Sequence, residues 1–125
     1  MKSIALIAHD NKKTELTTWV ATNSEILKKH NLISTSTTSN AIRAEIDLDN
    51  LTSVKSGPLG GDQQIGAMIA QGEIDLLVFF TDPLTPHPHD VDVKALTRLT
   101  TVYDIPMACS KSTADLILAS KYLCY

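Results

Sequence analysis

Three short apolar runs, rich in branched and aromatic side chains, restrict the folds open to this sequence more than any other feature. They are Ile4 to Ala8, Leu32 to Ser34 and Leu76 to Phe80. Runs of this kind are typical of strands that are buried on both faces of a parallel sheet. Two weaker candidates, Leu51 to Lys55 and Ile105 to Cys109, bring the number of predicted strands to five.

Helix-type patterns separate these runs. They cover Lys13 to His30, Ala41 to Ile46, Gln63 to Ala70, Val93 to Tyr103 and Ser112 to Ala119. Alternation of strands and helices is typical of the α/β class, in which right-handed crossovers join parallel strands. We therefore predict an open, mainly parallel five-stranded sheet that is flanked by helices in a Rossmann-like, three-layer arrangement.

Size and charge exclude several classes of function. The 125 residues suffice for one hydrophobic core, so residues 1–125 are expected to form a single domain. The formal charge is −3 and the basic residues are scattered, which argues against a nucleic-acid surface. No apolar stretch suits a membrane span or a signal peptide. Cys109 and Cys124 are expected to be buried or terminal thiols without a disulfide. These features predict a cytoplasmic protein.

The segment Ser56 to Gln64, SGPLGGDQQ, is the most informative motif for function. Three glycines and a proline precede Asp62, and a helical pattern begins directly after it. A glycine-rich entry into a helix leaves backbone N–H groups available to an anion. Because an ionised carboxylate repels an anion, its presence here indicates an acid–base residue beside an oxyanion site.

Polar residues also follow each of the first four strand candidates, at ends that converge on one edge of a parallel sheet. The groups are His9-Asp10 with Lys13 close behind, Thr35 to Asn40, Ser56-Gly57-Pro58, and Thr81-Asp82-Pro83. Each group alone is typical of a turn or a helix N-cap. Together they predict a small anion site.

Phosphate is the anion that these groups favour, since hydroxyls, backbone N–H groups and an ammonium are its usual ligands. The sequence contains neither the G-x-x-x-x-G-K-[ST] nor the G-x-G-x-x-G motif. We therefore expect a small phosphorylated molecule, and not a nucleotide held by those motifs.

The proline-rich loop after the fourth strand raises the alternative of a metal site. His87, His89, Asp90 and Asp92 lie within six residues. One short loop rarely supplies three well-placed ligands, and no H-E-x-x-H or cysteine pattern accompanies it, so a metal is the less favoured interpretation. Asp90 and Asp92 suit the first turn of a helix. His89 is consequently the better catalytic candidate.

Nucleophilic catalysis is poorly supported, because no G-x-S-x-G motif occurs and Cys109 lies in an apolar run. Asp and His side chains remain as proton-transfer groups beside a phosphate site, which suits proton abstraction next to a carbonyl. His30 follows a charged helical segment and is expected to be a solvated C-terminal residue.

Five strings together resemble methylglyoxal synthases, in order, from Ile4 to about Ala119. They are Ala8-His9-Asp10, Ser34 to Thr38, Ser56 to Gln64, Phe80 to Leu84, and Pro88 to Leu96. The G-G-D-Q-Q and P-H-D-x-D-V-K-A-L strings are highly specific to that enzyme.

The resemblance implies a lyase, without cofactor or metal, that converts dihydroxyacetone phosphate to methylglyoxal and inorganic phosphate. Asp62 would be the base, and His89 would polarise or protonate the carbonyl-side oxygens of the enediolate. The implied phosphate cradle consists of Lys13, Thr35, Thr37, Thr38, Ser56 and Gly57. The remaining active-site positions match Asp10 and Asp92, as supporting catalytic residues, and His9 and Asp82.

The resemblance also implies a cytoplasmic homohexamer that responds allosterically to phosphate, its product. Ser36 and Ser39 stand where the family usually has glycine, and both add hydroxyl donors near the cradle, so Ser36 is a further candidate ligand. One alternative is a non-catalytic phosphate- or metabolite-sensing module of the same fold, and another is a phosphosugar isomerase or phosphatase. The presence of both Asp62 and His89 favours the lyase, since a sensor needs no base.

Overall fold

A five-stranded parallel sheet forms the centre of the molecule in a computed structural model that describes residues 1–87 and 90–124. The strands are Ser3–Ala8 (β1), Asn31–Thr35 (β2), Leu51–Val54 (β3), Leu76–Phe80 (β4) and Met107–Ala108 (β5). Their order is β3-β2-β1-β4-β5, and every neighbouring pair is parallel. The predicted α/β class and the five strands are confirmed.

The described residues contain six α-helices, of which the first five lie between successive strands and the sixth follows β5. They are Lys13–Thr22 (α1), Ser24–Leu27 (α2), Ser36–Glu45 (α3), Gly61–Ala70 (α4), Asp90–Val102 (α5) and Lys111–Ala119 (α6). Short 3₁₀ turns cover Asp10–Lys12, Gly57–Leu59 and Tyr122–Cys124. Among the helices of the described residues, none is long and apolar enough to cross a membrane.

The apolar side chains of the sheet divide into two cores, one on each face, because successive strand residues point to opposite sides. Ile4 and Leu6 of β1 pack in one core with Trp19 of α1. Ile7 of β1 and Phe79 of β4 pack in the other, which α4 and α5 cover. Burial of each such side chain contributes roughly 1.5–3 kcal/mol. The result is the predicted three-layer arrangement.

The chain changes direction across the sheet between β1 and β4. It runs outward from β1 through β2 to β3, and then returns to place β4 on the other side of β1. In open α/β sheets such a switch point leaves a crevice at the carboxyl ends of the two strands, where ligands bind. The fold therefore locates a candidate site before any side chain is considered.

Most predicted elements differ from the observed ones by a few residues, and three of the differences have an identifiable physical reason. The helical pattern from Lys13 to His30 is interrupted at Asn23, whose side-chain Nδ2 and backbone N–H both donate to the Trp19 carbonyl. Helix α3 begins at Ser36 and not at Ala41, so the Ser/Thr cluster forms its first turn. Strand β5 has only two residues, since Pro106 has no N–H to donate to the sheet.

Two expectations about single residues are wrong. His30 is buried, at 7% exposure, and its Nδ1 accepts the Lys2 backbone N–H at 3.1 Å, so it is not a solvated residue. Cys109 follows β5 and is exposed, so it is not a buried thiol. Both cysteines are free, as expected.

Candidate active site

A cleft of about 390 Å³ opens at the carboxyl ends of β1 and β4, at the switch point of the sheet. It is lined by eight residues that the sequence predicted for the site: His9, Asp10, Lys13, Thr35, Thr37, Ser56, Gly57 and Asp62. These side chains come from the ends of three strands and the starts of three helices. The predicted convergence of polar residues at one edge of the sheet is therefore observed.

The Ser56 to Gln64 segment presents Asp62 at the start of α4. Gly60 adopts φ 104°, a left-handed conformation that favours glycine. A Cβ on Gly61 would lie 1.8 Å from the Lys55 carbonyl oxygen, so only glycine fits. Asp62 follows as the second helical residue and is 3% exposed. The glycines thus let α4 begin directly against the end of β3, with the carboxylate in the cleft.

Lys13 provides a positive charge in the cleft. Its Nζ donates to the Ala8 carbonyl at 3.0 Å and to Asp10 Oδ1 at 2.7 Å. The Lys13 side chain is 18% exposed and that of Asp10 is 95% exposed. The hydrogen bond from Lys13 lowers the pKa of the Asp10 carboxyl. Asp10 therefore lies at the solvent side of the cleft and orients the ammonium.

His9 is held as a neutral hydrogen-bond donor. Its Nδ1 accepts the Asp82 backbone N–H at 2.8 Å, and its ring meets Phe79 edge-on at 5.1 Å between centroids. Since a nitrogen that accepts a hydrogen bond carries no proton, the ring proton lies on Nε2. At 8% exposure the ring has little room to turn.

Asp82 does not line the cleft, but its hydrogen bonds hold the loop that contributes Thr85 and His87 to the cleft wall. Its Oδ2 accepts from Asn11 Nδ2 at 2.9 Å, and its Oδ1 accepts the Leu84 N–H at 3.1 Å. Hydrogen bonds from Thr85, Asn11 and the Leu84 backbone lower the pKa of Asp82 to about 2. The carboxylate is therefore ionised at any physiological pH.

The end of β2 contributes Thr35 to the cleft and the first turn of α3 contributes Thr37, but the neighbouring hydroxyls of Ser36, Thr38 and Ser39 do not line it. Thr38 is buried and accepts a hydrogen bond from Thr35 Oγ1 at 3.1 Å, so it orients Thr35. Ser36 is half-buried and does not line the cleft. Ser39 Oγ is buried and has no hydrogen-bond partner among the described residues.

One predicted catalytic residue, Asp92, is placed apart from the main cleft. Asp92 lies in a smaller cleft of about 190 Å³ between α4 and α5, which Asp62 also lines. There its Oδ1 accepts from Gln63 Nε2 at 2.8 Å, so Asp92 joins α5 to the helix that carries Asp62. His89 lies outside the described residues.

Sequence reasoning missed three polar residues that line the main cleft: Asn11, Thr85 and His87. Asn11 donates to Asp82 across 71 residues of sequence, and no local pattern signals such a contact. His87 was considered only as a metal ligand. Within residues 1–87 and 90–124, no group of three or more His, Cys, Asp or Glu side chains is placed to hold a metal ion.

Comparisons with known proteins agree with this geometry. The model of the MGS-like domain family matches residues 15–109. A methylglyoxal synthase from Leptospira interrogans is 55% identical over 120 residues, which are 96% of this chain and 80% of that protein. One from Pseudoalteromonas atlantica is 54% identical over 119 residues, which are 95% of this chain and 87% of that protein.

A solved structure is similarly close. The crystal structure of methylglyoxal synthase from Elizabethkingia anophelis superposes with a TM-score of 0.92 and 52% sequence identity. The match covers 98% of this chain and 80% of that chain. The resemblance that the sequence motifs indicated is confirmed: the chain belongs to the methylglyoxal synthase family.

Proposed function

We propose that this chain converts dihydroxyacetone phosphate to methylglyoxal and inorganic phosphate, with no cofactor. The observation that carries the proposal is Asp62, a 3% exposed carboxylate at a helix N-terminus inside a polar cleft. The relatives of about 55% identity that are named methylglyoxal synthase support the same activity.

The phosphate group of the substrate binds where backbone and hydroxyl donors converge. Lys13 supplies the ammonium, and Thr35, Thr37 and Ser56 line the same cleft. Helices α3 and α4 both start at this edge, and their first N–H groups favour an anion. Substrate bound in this way would place its carbonyl and hydroxymethyl carbons near Asp62.

Asp62 removes a proton from the hydroxymethyl carbon, next to the carbonyl. An Asp with its reference pKa of about 3.9 is a weak base for a carbon acid, so the enediolate needs stabilising donors. The neutral Nε2–H of His9 is one such donor, and His89 takes the corresponding role at the carbonyl-side oxygens. In comparable sites one donor contributes roughly 2.7–4 kcal/mol of transition-state stabilisation.

Elimination of phosphate completes the reaction. The terminal hydroxyl of the enediol loses its proton and becomes the aldehyde, the double bond moves to the neighbouring carbon, and the C–O bond to phosphate breaks. The enol that remains takes up a proton at its methylene carbon, which becomes the methyl group, and loses the proton of its hydroxyl, which becomes the ketone of methylglyoxal. Asp10 and Asp92 support these steps by holding Lys13 and the start of α4, respectively.

Family membership also bears on the domain organisation, the location in the cell, the assembly and the regulation of this protein. We propose a single domain over residues 1–125, a cytoplasmic homohexamer, and inhibition by inorganic phosphate. Membership of the methylglyoxal synthase family supports these statements. A light-scattering mass would test the assembly, and a phosphate titration of the rate would test the inhibition.

Incubation with dihydroxyacetone phosphate tests the activity, with methylglyoxal and inorganic phosphate measured separately. We expect equal amounts of both from the unaltered chain. Asp62→Asn should lower kcat by about 10²- to 10⁴-fold, the usual contribution of a general base, and still bind inorganic phosphate.

The exposed Asp47 provides the matched control, because Asp47→Asn is the same chemical change outside the cleft and should leave the rate unchanged. An unaltered chain that forms no methylglyoxal would contradict the proposed function. Activity of Asp62→Asn near that of the unaltered chain would contradict only the assignment of the base.

A further inference from the structure

The motif around Asp62 contains two glutamines, Gln63 and Gln64, to which the proposed reaction assigns no role. Both are exposed, whereas Asp62 is 3% exposed. Consecutive residues of a helix point about 100° apart, and of these three only Asp62 lines the main cleft. The apolar stripe of α4 begins at Ile65, which is fully buried. The turn that precedes it, with the base, is therefore held mainly by polar and main-chain contacts.

Gln64 joins this first turn to the end of β3. Its Oε1 accepts the Lys55 backbone N–H at 2.8 Å. The Gly61 backbone N–H donates to the Ser56 carbonyl at 2.8 Å, so the turn has two attachments to the same short segment. They are three residues apart, which is about 4.5 Å along the helix axis. Together they oppose tilting of the turn, but they leave it free to rotate about the line that joins them.

Gln63 supplies a third attachment, to a different neighbour. Its Nε2 donates to Asp92 Oδ1 at 2.8 Å, and Asp92 is the third residue of α5. Three attachments that do not lie on one line are the minimum that fixes a rigid body. Two of the three are side-chain hydrogen bonds at the surface, and the two residues that follow the base make them.

The carboxylate of Asp62 lies where a small movement of α4 would matter. A Cβ on Gly57 would lie 3.4 Å from Asp62 Oδ2 and 3.5 Å from Oδ1. Both oxygens are therefore close to the Ser56-Gly57 turn, which lines the main cleft. If α4 shifted relative to the end of β3, the distance between the base and a bound phosphate group would change. Misplacement of a reacting group by about 1 Å can cost roughly 10²-fold in rate.

We propose that Gln63 and Gln64 are positioning residues for Asp62. Gln64 acts as the acceptor for the Lys55 N–H, and Gln63 acts as the donor to Asp92. The inference rests on the proposed function, because it takes Asp62 as the base. The two glutamines need opposite hydrogen-bonding groups, so a hydrogen-bond effect can be separated from an effect of charge.

Methionine tests both contacts, because it has nearly the length of glutamine, no donor and only a weak acceptor. We expect Gln63→Met and Gln64→Met each to lower kcat for methylglyoxal formation roughly 10- to 100-fold, with KM changed by less than about 2-fold. Inorganic phosphate, measured by calorimetry, should bind both variants as it binds the unaltered chain, since the ammonium and threonine ligands lie outside α4. Gln71→Met, the same change at the exposed far end of α4, is the control and should alter neither quantity.

Charged replacements separate the two hydrogen bonds, because Glu retains an acceptor and Lys retains a donor. Gln64→Glu and Gln63→Lys should keep most of the kcat that the methionine variants lose. The reversed pair, Gln64→Lys and Gln63→Glu, should be as slow as the methionine variants. If Glu and Lys rank in the same order at both positions, charge near the base accounts for the rates and the proposal is overturned. Methionine variants as fast as Gln71→Met would also overturn it, and so would a phosphate affinity that falls in parallel with kcat.

Exchange of a hydroxymethyl proton of dihydroxyacetone phosphate with D₂O separates this inference from the proposed function, since it reports proton abstraction even where phosphate is not eliminated. If the unaltered chain exchanges this proton but forms no methylglyoxal, and the variants exchange in the expected order, the positioning role stands and the elimination is wrong. If methylglyoxal forms at the same rate in all variants, the reaction stands and the positioning role fails. Absence of both exchange and product would contradict the base and, with it, the positioning role.

Discussion

Two buried histidines lie at opposite ends of the parallel strands, one at the carboxyl ends and one at the amino ends. Both make the same kind of hydrogen bond, but their surroundings differ. His9 is 8% exposed and accepts the Asp82 N–H through Nδ1; His30 is 7% exposed and accepts the Lys2 N–H through Nδ1. Each is therefore held with its proton on Nε2 when neutral. The chemistry of the ring alone does not distinguish them.

The surroundings of the two histidines distinguish them. His9 follows β1 at its carboxyl end, beside a second histidine and in the cleft that contains Asp62. His30 precedes β2 at its amino end, where its carbonyl oxygen accepts a hydrogen bond from Asn50 Nδ2. No ligand cleft includes it among those described. The end of the strand at which each histidine lies is therefore the feature that favours a catalytic role for His9 and not for His30.

Substitution of each histidine by asparagine should separate the two roles most strongly. Asn Oδ1 can replace Nδ1 as the acceptor, while the Nε2–H is lost. We expect His9→Asn to lower kcat by about 10²- to 10³-fold, the effect of removing one donor to a developing oxyanion. His30→Asn should leave kcat unchanged, as measured by methylglyoxal formation. A comparable loss of kcat in both variants would break the comparison.

Two aspartates extend the comparison with a smaller effect. Asp82 at the carboxyl edge accepts the Leu84 N–H, and Asp75 at the amino edge accepts the Ser3 N–H at 2.8 Å. Asp82→Ala should lower kcat/KM by roughly 10- to 100-fold, because the loop and His9 lose their alignment. Asp75→Ala should lower the free energy of unfolding by about 1 kcal/mol, with kcat unchanged. Urea unfolding together with the rate assay measures both, and a loss of activity in Asp75→Ala would contradict the division between the edges.

Substitution of Ser39 tests whether a polar side chain near the carboxyl ends of the strands is always required for activity or stability. Its Oγ is buried without a hydrogen-bond partner among the described residues, at the fourth residue of α3. Ser39→Ala removes that hydroxyl and introduces a better helix former, so we expect the free energy of unfolding to rise by about 1 kcal/mol. Activity should remain. A drop in stability would show that the hydroxyl has a partner in solution.

The smallest expected effect is the pH dependence of stability that His30 causes. Burial, followed by repulsion from the N-terminal ammonium and Lys2, lowers the pKa of His30. The unfolded chain then binds a proton near pH 6.5 that the folded chain does not, so stability falls as the pH drops below 6.5 through the folded pKa. Thermal unfolding of His30→Asn between pH 5 and pH 7.5 should show a shallower decline than that of the unaltered chain. An identical decline would contradict this account.

The sequence predicts the fold well because its strands are encoded locally. Ile4 to Ala8 and Leu76 to Phe80 are short branched runs, and the structure has strands over nearly the same residues. The boundaries that differ depend on individual contacts: the bonds of Asn23 to the Trp19 carbonyl end α1, and no hydropathy pattern reveals them. His30 was misjudged because its partner, the Lys2 N–H, is 28 residues away in sequence.

Part of the candidate site can likewise be predicted, because some of its residues belong to local sequence motifs. Asp62 and Lys13 belong to local motifs that start helices, and the structure places both in the cleft. Asn11 and His87 are positioned through Asp82, far from Asn11 in sequence, so the contacts that place them in the cleft exist only in the folded chain. Local motifs thus identify the candidate reacting groups but not the residues that hold them in place.

The contact between Gly61 and the Lys55 carbonyl has a consequence for anyone who would redesign this site. Because no side chain fits there, the start of α4 packs directly against main-chain atoms at the end of β3. The position of residue 62 is therefore fixed by the sheet. A different acid–base group can be introduced at 62 with its anchor intact, and Glu would extend the carboxylate by one methylene. Any residue other than glycine at 61 would displace the whole turn. Position 62 therefore tolerates substitution and position 61 does not. A mutational library is most useful when it varies position 62 and keeps glycine at position 61.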